Sequence, residues 1–428
     1  MSLRAGIAGV DVTPDWPLTM ECYPDGAPIE RALDRLEVRA IVLEGAPSPA
    51  GERTRAALVS VDACGVEAEW AWRVRQRASA LTGIPAQHIL LMASHTHACP
   101  ALTRFKGVAV DPAYLDWLEE RLVRAVRLGS AGLRPVTATA GEGSARLNVN
   151  RRRRTAEGVW LRANPQGAVD RRVRVLRLSP VPPDGAPPAP GTLGGRPLPQ
   201  ADPLALLFSY PCHPTVIGPS PAAWSADYPG AARRFVERAY RSEGRAGSAG
   251  DGGADEALRT RALFLPGCAG DLRPHLLRAA GSAPDGSFRE GMPQELTVLG
   301  RLLGSEVVRV AEEIGGEGPD GAAERAGLGL ARREVYLPYA RVPEEGALRV
   351  ALEGPRGWWA RAMLHLLQRD GRLPEGEVGE VHALRLGRHW LVTTPGETAQ
   401  GIGRSIERGL AELGLARPER GDQVLALG

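Results

Sequence analysis

Along this chain short apolar runs recur, each ending in a tight polar turn, and several are followed by a segment of helical period. Ala56–Val61 runs into Asp62, Ile89–Ala93 into Ser94-His95-Thr96-His97, and Leu204–Ser209 into Tyr210-Pro211-Cys212-His213-Pro214. Ala262–Leu265 runs into Pro266-Gly267-Cys268-Ala269-Gly270-Asp271, and Trp390–Thr393 into Thr394-Pro395-Gly396-Glu397. The runs have the length of strands and little polar alternation, which suits strands covered on both faces. Apolar spacing predicts helices over Tyr114–Leu128, Ala231–Ser242 and Glu397–Leu413. The expected class is α/β, with central β-sheets flanked by helices in layers. In such sheets ligands bind beyond the carboxyl ends of strands. Here nearly every such end carries His, Asp or Glu, so the five strand ends are expected to converge on one pocket.

Two stretches interrupt this rhythm. Pro180–Pro203 is dense in proline and glycine, and Gly244–Gly253 is rich in glycine and serine. Each sits between strand-like runs and reads as an exposed, poorly ordered insertion within a single domain spanning residues 1–428. A third polar break, Gly315–Gly321, marks off a C-terminal part of that domain.

Composition narrows the function. An apolar fraction of 43%, a charged fraction of 24% and a net charge of +3 describe a globular chain with no strong electrostatic bias. Lys106 is the only lysine, and the one basic run, Arg151–Arg154, reads mostly as solvated surface. No nucleic-acid partner is expected. No apolar stretch approaches the roughly 20 residues that span a bilayer, and no leader segment is recognised at Met1–Val10. Five scattered cysteines without a CxxC pair fit a reducing cytoplasm.

Histidine is scarce, at eight residues, yet His95 and His97 stand one residue apart at a strand mouth. If the strand continues that far, its period of two aims both side chains at one face. An HxH pair is a common half of a zinc or iron site, although one imidazole could instead cap a turn and the other sit in the core. His213, boxed between Pro211 and Pro214, adds an imidazole on a rigid turn, and Glu397 adds a carboxylate expected to open a helix. A helix N-terminus favours the ionised acid. Two His and one carboxylate from separate strand ends is the usual make-up of an open catalytic zinc site. Asp62, Asp227 and Asp271 could orient imidazoles from behind, or serve as turn and cap residues. Asp271 also follows a small-residue turn whose N–H groups could face an anion. Arg151 could hold a substrate carboxylate or oxyanion.

These landmarks, taken in order, resemble the N-terminal catalytic domain of the neutral/alkaline (non-lysosomal) ceramidase family. The matching pieces run along nearly the whole chain: Ala8–Pro14, Val59–Asp62, Ala93–His97, Asn148–Arg151, Cys212–Thr215, Ser225–Gly230, Gly267–Asp271 and Pro395–Glu397. The resemblance implies a zinc-dependent amidase acting on a lipid-like acyl substrate, with His95, His213 and Glu397 as zinc ligands and His97 and Arg151 near the substrate. The chain departs from the family pattern at Arg273, where a serine is the rule and where arginine could bind an anionic group. It also ends before the segment carrying the family's tyrosine ligand and the immunoglobulin-like domain, so neither is expected. The resulting expectation is a hydrolase of an amide or related acyl bond whose substrate is not ceramide. His97 is its acid/base or oxyanion donor, and Arg151, Asp271 and Arg273 assist. A catalytically silent relative binding a ligand or partner through the same cleft is the alternative. A metal-free cysteine hydrolase would rest on Cys99 or Cys212 beside a histidine.

Overall fold

The structure, a computed structural model, describes residues 3–428 except 24–26, 48–50, 104–107, 157, 182–191, 194–195, 198–201, 220–221, 242–259, 277–286, 316–326 and 355–356. Its strands in chain order are β1 (Arg4–Asp11), β2 (Glu37–Pro47), β3 (Arg53–Val61), β4 (Ile89–Ala93), β5 (Arg134–Ser144) and β6 (Asn148–Thr155). Next come β7 (Gly158–Asn164), β8 (Arg172–Pro180), the short β9 (Thr192–Leu193) and β10 (Arg196–Pro197), β11 (Ala205–Tyr210) and β12 (Arg261–Pro266). The last are β13 (Leu272–Pro274), β14 (Leu328–Pro338), β15 (Gly376–Leu386), β16 (His389–Thr393) and β17 (Val424–Leu427). The helices are α1 (Ala68–Thr82), α2 (Pro112–Ala131), α3 (Asp227–Ala239), α4 (Pro293–Gly315), α5 (Glu345–Ala351), α6 (Gly357–Asp370) and α7 (Gln400–Glu412).

An eight-stranded sheet of order β12-β11-β8-β5-β1-β2-β3-β4 forms the centre, and a four-stranded sheet, β14-β15-β16-β17, packs on one face of it. Strand period explains why the central strands read as unbroken apolar runs. Along β2 and β3 alternate residues point to opposite faces. Ile41, Leu43, Ala56 and Leu58 meet Leu384, Leu391 and Leu425 of the smaller sheet. Ala40, Val42, Ala57 and Val59 meet Trp70, Val74, Leu118 and Leu303 of the helices on the other side. Each fully buried leucine or valine contributes on the order of 1.5–3 kcal/mol. The layers are therefore helix, sheet, sheet, and the α/β class holds.

Most strand pairs are antiparallel. The exceptions among the larger strands are β3 with β4, β11 with β12, and β16 with β17. These three parallel pairs end on the strand exits that the chain's motifs occupy, and this positions the site. The predicted helix over Tyr114–Leu128 lies within α2, which Asp111 caps by accepting from the N–H groups of Ala113 and Tyr114. Two helix starts differ from expectation. α3 begins at Asp227, earlier than Ala231, and α7 begins at Gln400, so Glu397 belongs to the loop before the helix. Gly244–Gly253 and most of Pro180–Pro203 lie outside the described residues. Among the described residues no helix is long and apolar enough to cross a membrane.

Candidate metal centre

β4 ends at Ala93 and the chain turns sharply: His95 has φ of 68°, a left-handed conformation uncommon outside glycine. The sequence expectation of a continued strand fails here, because the pleat stops before either histidine. The turn still brings His95 and His97 together edge to face, with ring centroids 5.1 Å apart. A backbone held in this region costs on the order of 1–3 kcal/mol and is typical of functional turns.

His213 follows β11 and Glu397 follows β16, and both meet His95. The Nε2 atoms of His95 and His213 lie 3.1 Å apart, His213 Nε2 lies 3.0 Å from Glu397 Oε2, and His95 Nε2 lies 3.6 Å from Glu397 Oε1. The opposite ring nitrogens define the tautomers. His95 Nδ1 donates to the carbonyl of Cys64 at 2.6 Å, and His213 Nδ1 donates to those of Ala269 and Leu272 at 2.8 and 3.0 Å. Carbonyl oxygens only accept, so both Nδ1 atoms carry a proton, and Nε2 is the position where each ring, in its neutral form, offers its lone pair. Burial pushes His213 down to about 4, although Glu397 opposes it, so its ring is neutral at neutral pH. Contact with His213, with His95 and Arg151 nearby, holds Glu397 well below the usual carboxylate range against its own burial.

Two imidazole Nε2 atoms and a carboxylate thus face one point. That arrangement is repulsive unless a cation completes it. A tetrahedral ion with bonds of about 2.1 Å would separate its ligands by about 3.4 Å, close to the three distances above. Backbone carbonyls behind both imidazoles are the usual outer support of metal-bound histidine. The donor set fits a borderline divalent metal.

The surrounding residues divide into those that hold Glu397 and those that hold the fold. Arg151, buried on β6, donates from Nη2 to Glu397 Oε2 at 3.0 Å and from Nε and Nη2 to the Gly270 carbonyl at 3.2 and 3.0 Å. It therefore aims the Glu397 carboxylate. Arg152, Arg153 and Arg154 of the same run are exposed. Asp271 accepts from the Gln400 N–H at 2.9 Å and from Asn150 Nδ2 at 3.3 Å, which ties the start of α7 to β6 and so braces the Glu397 loop. Gly270 allows that loop its close approach: a Cβ there would sit 2.3 Å from the Glu397 carbonyl oxygen.

Asp62 and Asp227, expected behind imidazoles, lie elsewhere. Asp62 forms a buried two-pronged ion pair with Arg233, at 3.0 and 2.5 Å, and accepts from the Glu37 N–H. Asp227 accepts from the N–H groups of Val216 and Ile217, which fixes the loop after His213. Its burial pushes it up to about 7. The orienting role belongs to backbone carbonyls, which carry no sequence signal.

His97 is largely buried, and its Nε2 has no hydrogen-bond partner among the described residues. Burial, then its two histidine neighbours, push it well below its ordinary value, so it too is neutral. Ring nitrogens of His95, His97 and His213 lie within 4.8 Å of one another. A second grouping escaped the sequence: Cys22 and Cys64 have sulfurs 3.2 Å apart, both within 4.8 Å of a His97 nitrogen. Their remoteness in the chain gave no sign of it. Cys99 and Cys212 are buried, and burial pushes both thiols up, so neither is a ready nucleophile.

A cavity of about 750 Å³ opens over the three donors, and its lining mixes apolar residues such as Leu91, Met92, Leu337 and Val378 with the charged Arg75 and Glu380. A smaller one of about 200 Å³ is also lined by His97 and holds Arg273.

No family model matches the chain, and no curated protein sequence matches it at a significant level. Solved structures do. Neutral ceramidase from Pseudomonas aeruginosa superposes with a TM-score of 0.66 at 17% identity, covering 100% of this chain and 67% of that one. A ceramidase complexed with C2 superposes with a TM-score of 0.65 at 17% identity, covering 100% of this chain and 68% of that one. At such identity the likeness is one of architecture, and in architecture the chain is a neutral-ceramidase-like domain.

Proposed function

We propose that the protein is a zinc-dependent hydrolase of an amide (N-acyl) bond or a related acyl bond. The observation that carries this reading is the meeting of His95 Nε2, His213 Nε2 and the Glu397 carboxylate at 3.0–3.6 Å, with the Nδ1 of each imidazole held by backbone carbonyls. His95, His213 and Glu397 would hold the zinc, and the chemistry it supplies when bound is Lewis acidity toward a carbonyl and toward water. Hydrolysis adds hydroxide to the acyl carbon and a proton to the leaving nitrogen. His97, neutral and unpartnered at Nε2, is the group placed to take up and pass on that proton. Arg151 keeps Glu397 ionised and aimed, and Asp271 and Gly270 keep its loop in place. Leu91, Met92, Leu337 and Val378 in the larger cavity offer apolar surface to a lipid-like acyl chain, and the architecture shared with ceramidases agrees with an N-acyl bond. A reducing, cytoplasmic setting belongs to the same reading, since all five cysteines carry free thiols.

The test is zinc content beside turnover of a panel of N-acyl substrates. His95→Ala should lose zinc. His97→Ala should keep it and lose turnover by about 10²–10⁴-fold, as for a general acid/base. Full zinc retention in His95→Ala would overturn the site, and zinc binding without turnover of any acyl substrate would favour a ligand-binding relative.

A further inference from the structure

The smaller cavity shares His97 and Arg151 with the metal centre and is also lined by Tyr23, Arg273, Phe288 and Glu290. Its cations are unequal. Arg151 is committed to Glu397 and Gly270, and the nearby Arg289 to Glu295. Arg273 has no acidic partner among the described residues, and its Nε is out of solvent with no acceptor. Its guanidinium carbon sits 4.0 Å over the Phe288 ring. Burial lowers it to about 10, which leaves it cationic at neutral pH. Glu290, the one acid lining this cavity, is exposed, so solvent screens it.

A half-buried cation without an anion is costly, and an arginine stacked on an aromatic ring has one face occupied and its N–H edge free. That edge matches the two oxygens of a carboxylate. One spare cation suits a monoanion; a phosphate dianion would call for a second.

We propose that Arg273 binds a carboxylate on the amine side of the scissile bond, so that the substrate class is the N-acyl amino acids. The acyl chain would lie along Leu91, Met92, Leu337 and Val378 in the 750 Å³ cavity, the amide would lie at His95, His213 and Glu397, and the amino-acid carboxylate would reach Arg273 past His97. Cleavage breaks the C–N bond, places hydroxide on the acyl carbon and a proton on the nitrogen, and yields a fatty acid and a free amino acid. The direction of cleavage rests on the hydrolase reading above; the carboxylate subsite does not.

The test separates the two. Binding of non-hydrolysable ketone analogues to the zinc-loaded full chain, 4-oxoundecanoate against 4-oxoundecanamide, is measured by calorimetry. The carboxylate should bind at least about tenfold more tightly, as a charge-assisted contact implies. Arg273→Gln should erase that preference while leaving amide affinity unchanged, and Arg273→Lys should keep part of it. Equal binding of the two analogues, or a preference that survives Arg273→Gln, overturns the subsite. Turnover of N-octanoylglycine and N-octanoylglycinamide is scored separately. Failure to cleave either, with the binding preference intact, sinks the hydrolase reading and leaves the subsite standing. Cleavage of both at equal efficiency, insensitive to Arg273, overturns the substrate class.

Discussion

Asp62→Asn is the substitution that best separates fold from site. The side chains of Asp62 and Arg233 are each 0% exposed and meet through two contacts of 3.0 and 2.5 Å, with Glu37 another 3.7 Å from Arg233. An amide at position 62 nearly conserves volume but leaves the Arg233 charge buried with Glu37 as its remaining partner. Breaking one side of such a pair costs about 3–5 kcal/mol. Unfolding entropy of about 2.1 cal/mol/K per residue, over 428 residues, gives roughly 0.9 kcal/mol/K, so the melting temperature should fall by roughly 3–6 °C. Because Asp62 touches neither His95 nor His213, zinc stoichiometry of the folded variant should match that of the parent. Scanning calorimetry and metal analysis on one preparation make the assay. Asp62→Asn combined with Arg233→Met should cost less than the sum of the single changes, since no charge is then stranded. A variant that melts with the parent yet loses zinc would show that the carboxylate serves the metal centre.

Two further outcomes are expected. In Gly270→Ala the new methyl meets the Glu397 carbonyl at 2.3 Å, so the ligand loop must shift; a loss of about 1–3 kcal/mol and of about 10–100-fold in zinc affinity is expected, and parental zinc affinity by competition with a chelator would count against the role given to this glycine. Burial resists ionisation of Glu37, but Arg39 and Arg233 outweigh it and hold its carboxyl at about 2 against an ordinary 4.5. The folded value is the lower one, so the stability Glu37 contributes is complete above about 4.5 and is lost as pH falls through about 2. Glu37→Gln should therefore flatten the melting-temperature profile on the acid side, and a profile identical to the parent's below pH 4.5 would refute this.

Periodicity and local chemistry determined much of this protein. Unbroken apolar runs such as Ile89–Ala93 marked β4 to the residue, because a strand between two cores must be apolar on both faces. The same reading put His95, His213 and Glu397 at strand exits, since a histidine or acid after a buried run has few other places to be. The tertiary structure decided how they meet. Strand period suggested one face for His95 and His97, whereas the left-handed turn at His95 sets their geometry. Nothing local could pair Asp62 with Arg233 across 171 residues, or bring Cys22 beside Cys64, or choose the carbonyls of Cys64, Ala269 and Leu272 to lock the imidazoles. Hydrophobic pattern records which residues leave water, and that is a property of each residue with its near neighbours. Which charge answers a buried charge, and which carbonyl faces a ring nitrogen, depends on how distant strands are laid side by side. Only the packed sheets decide that.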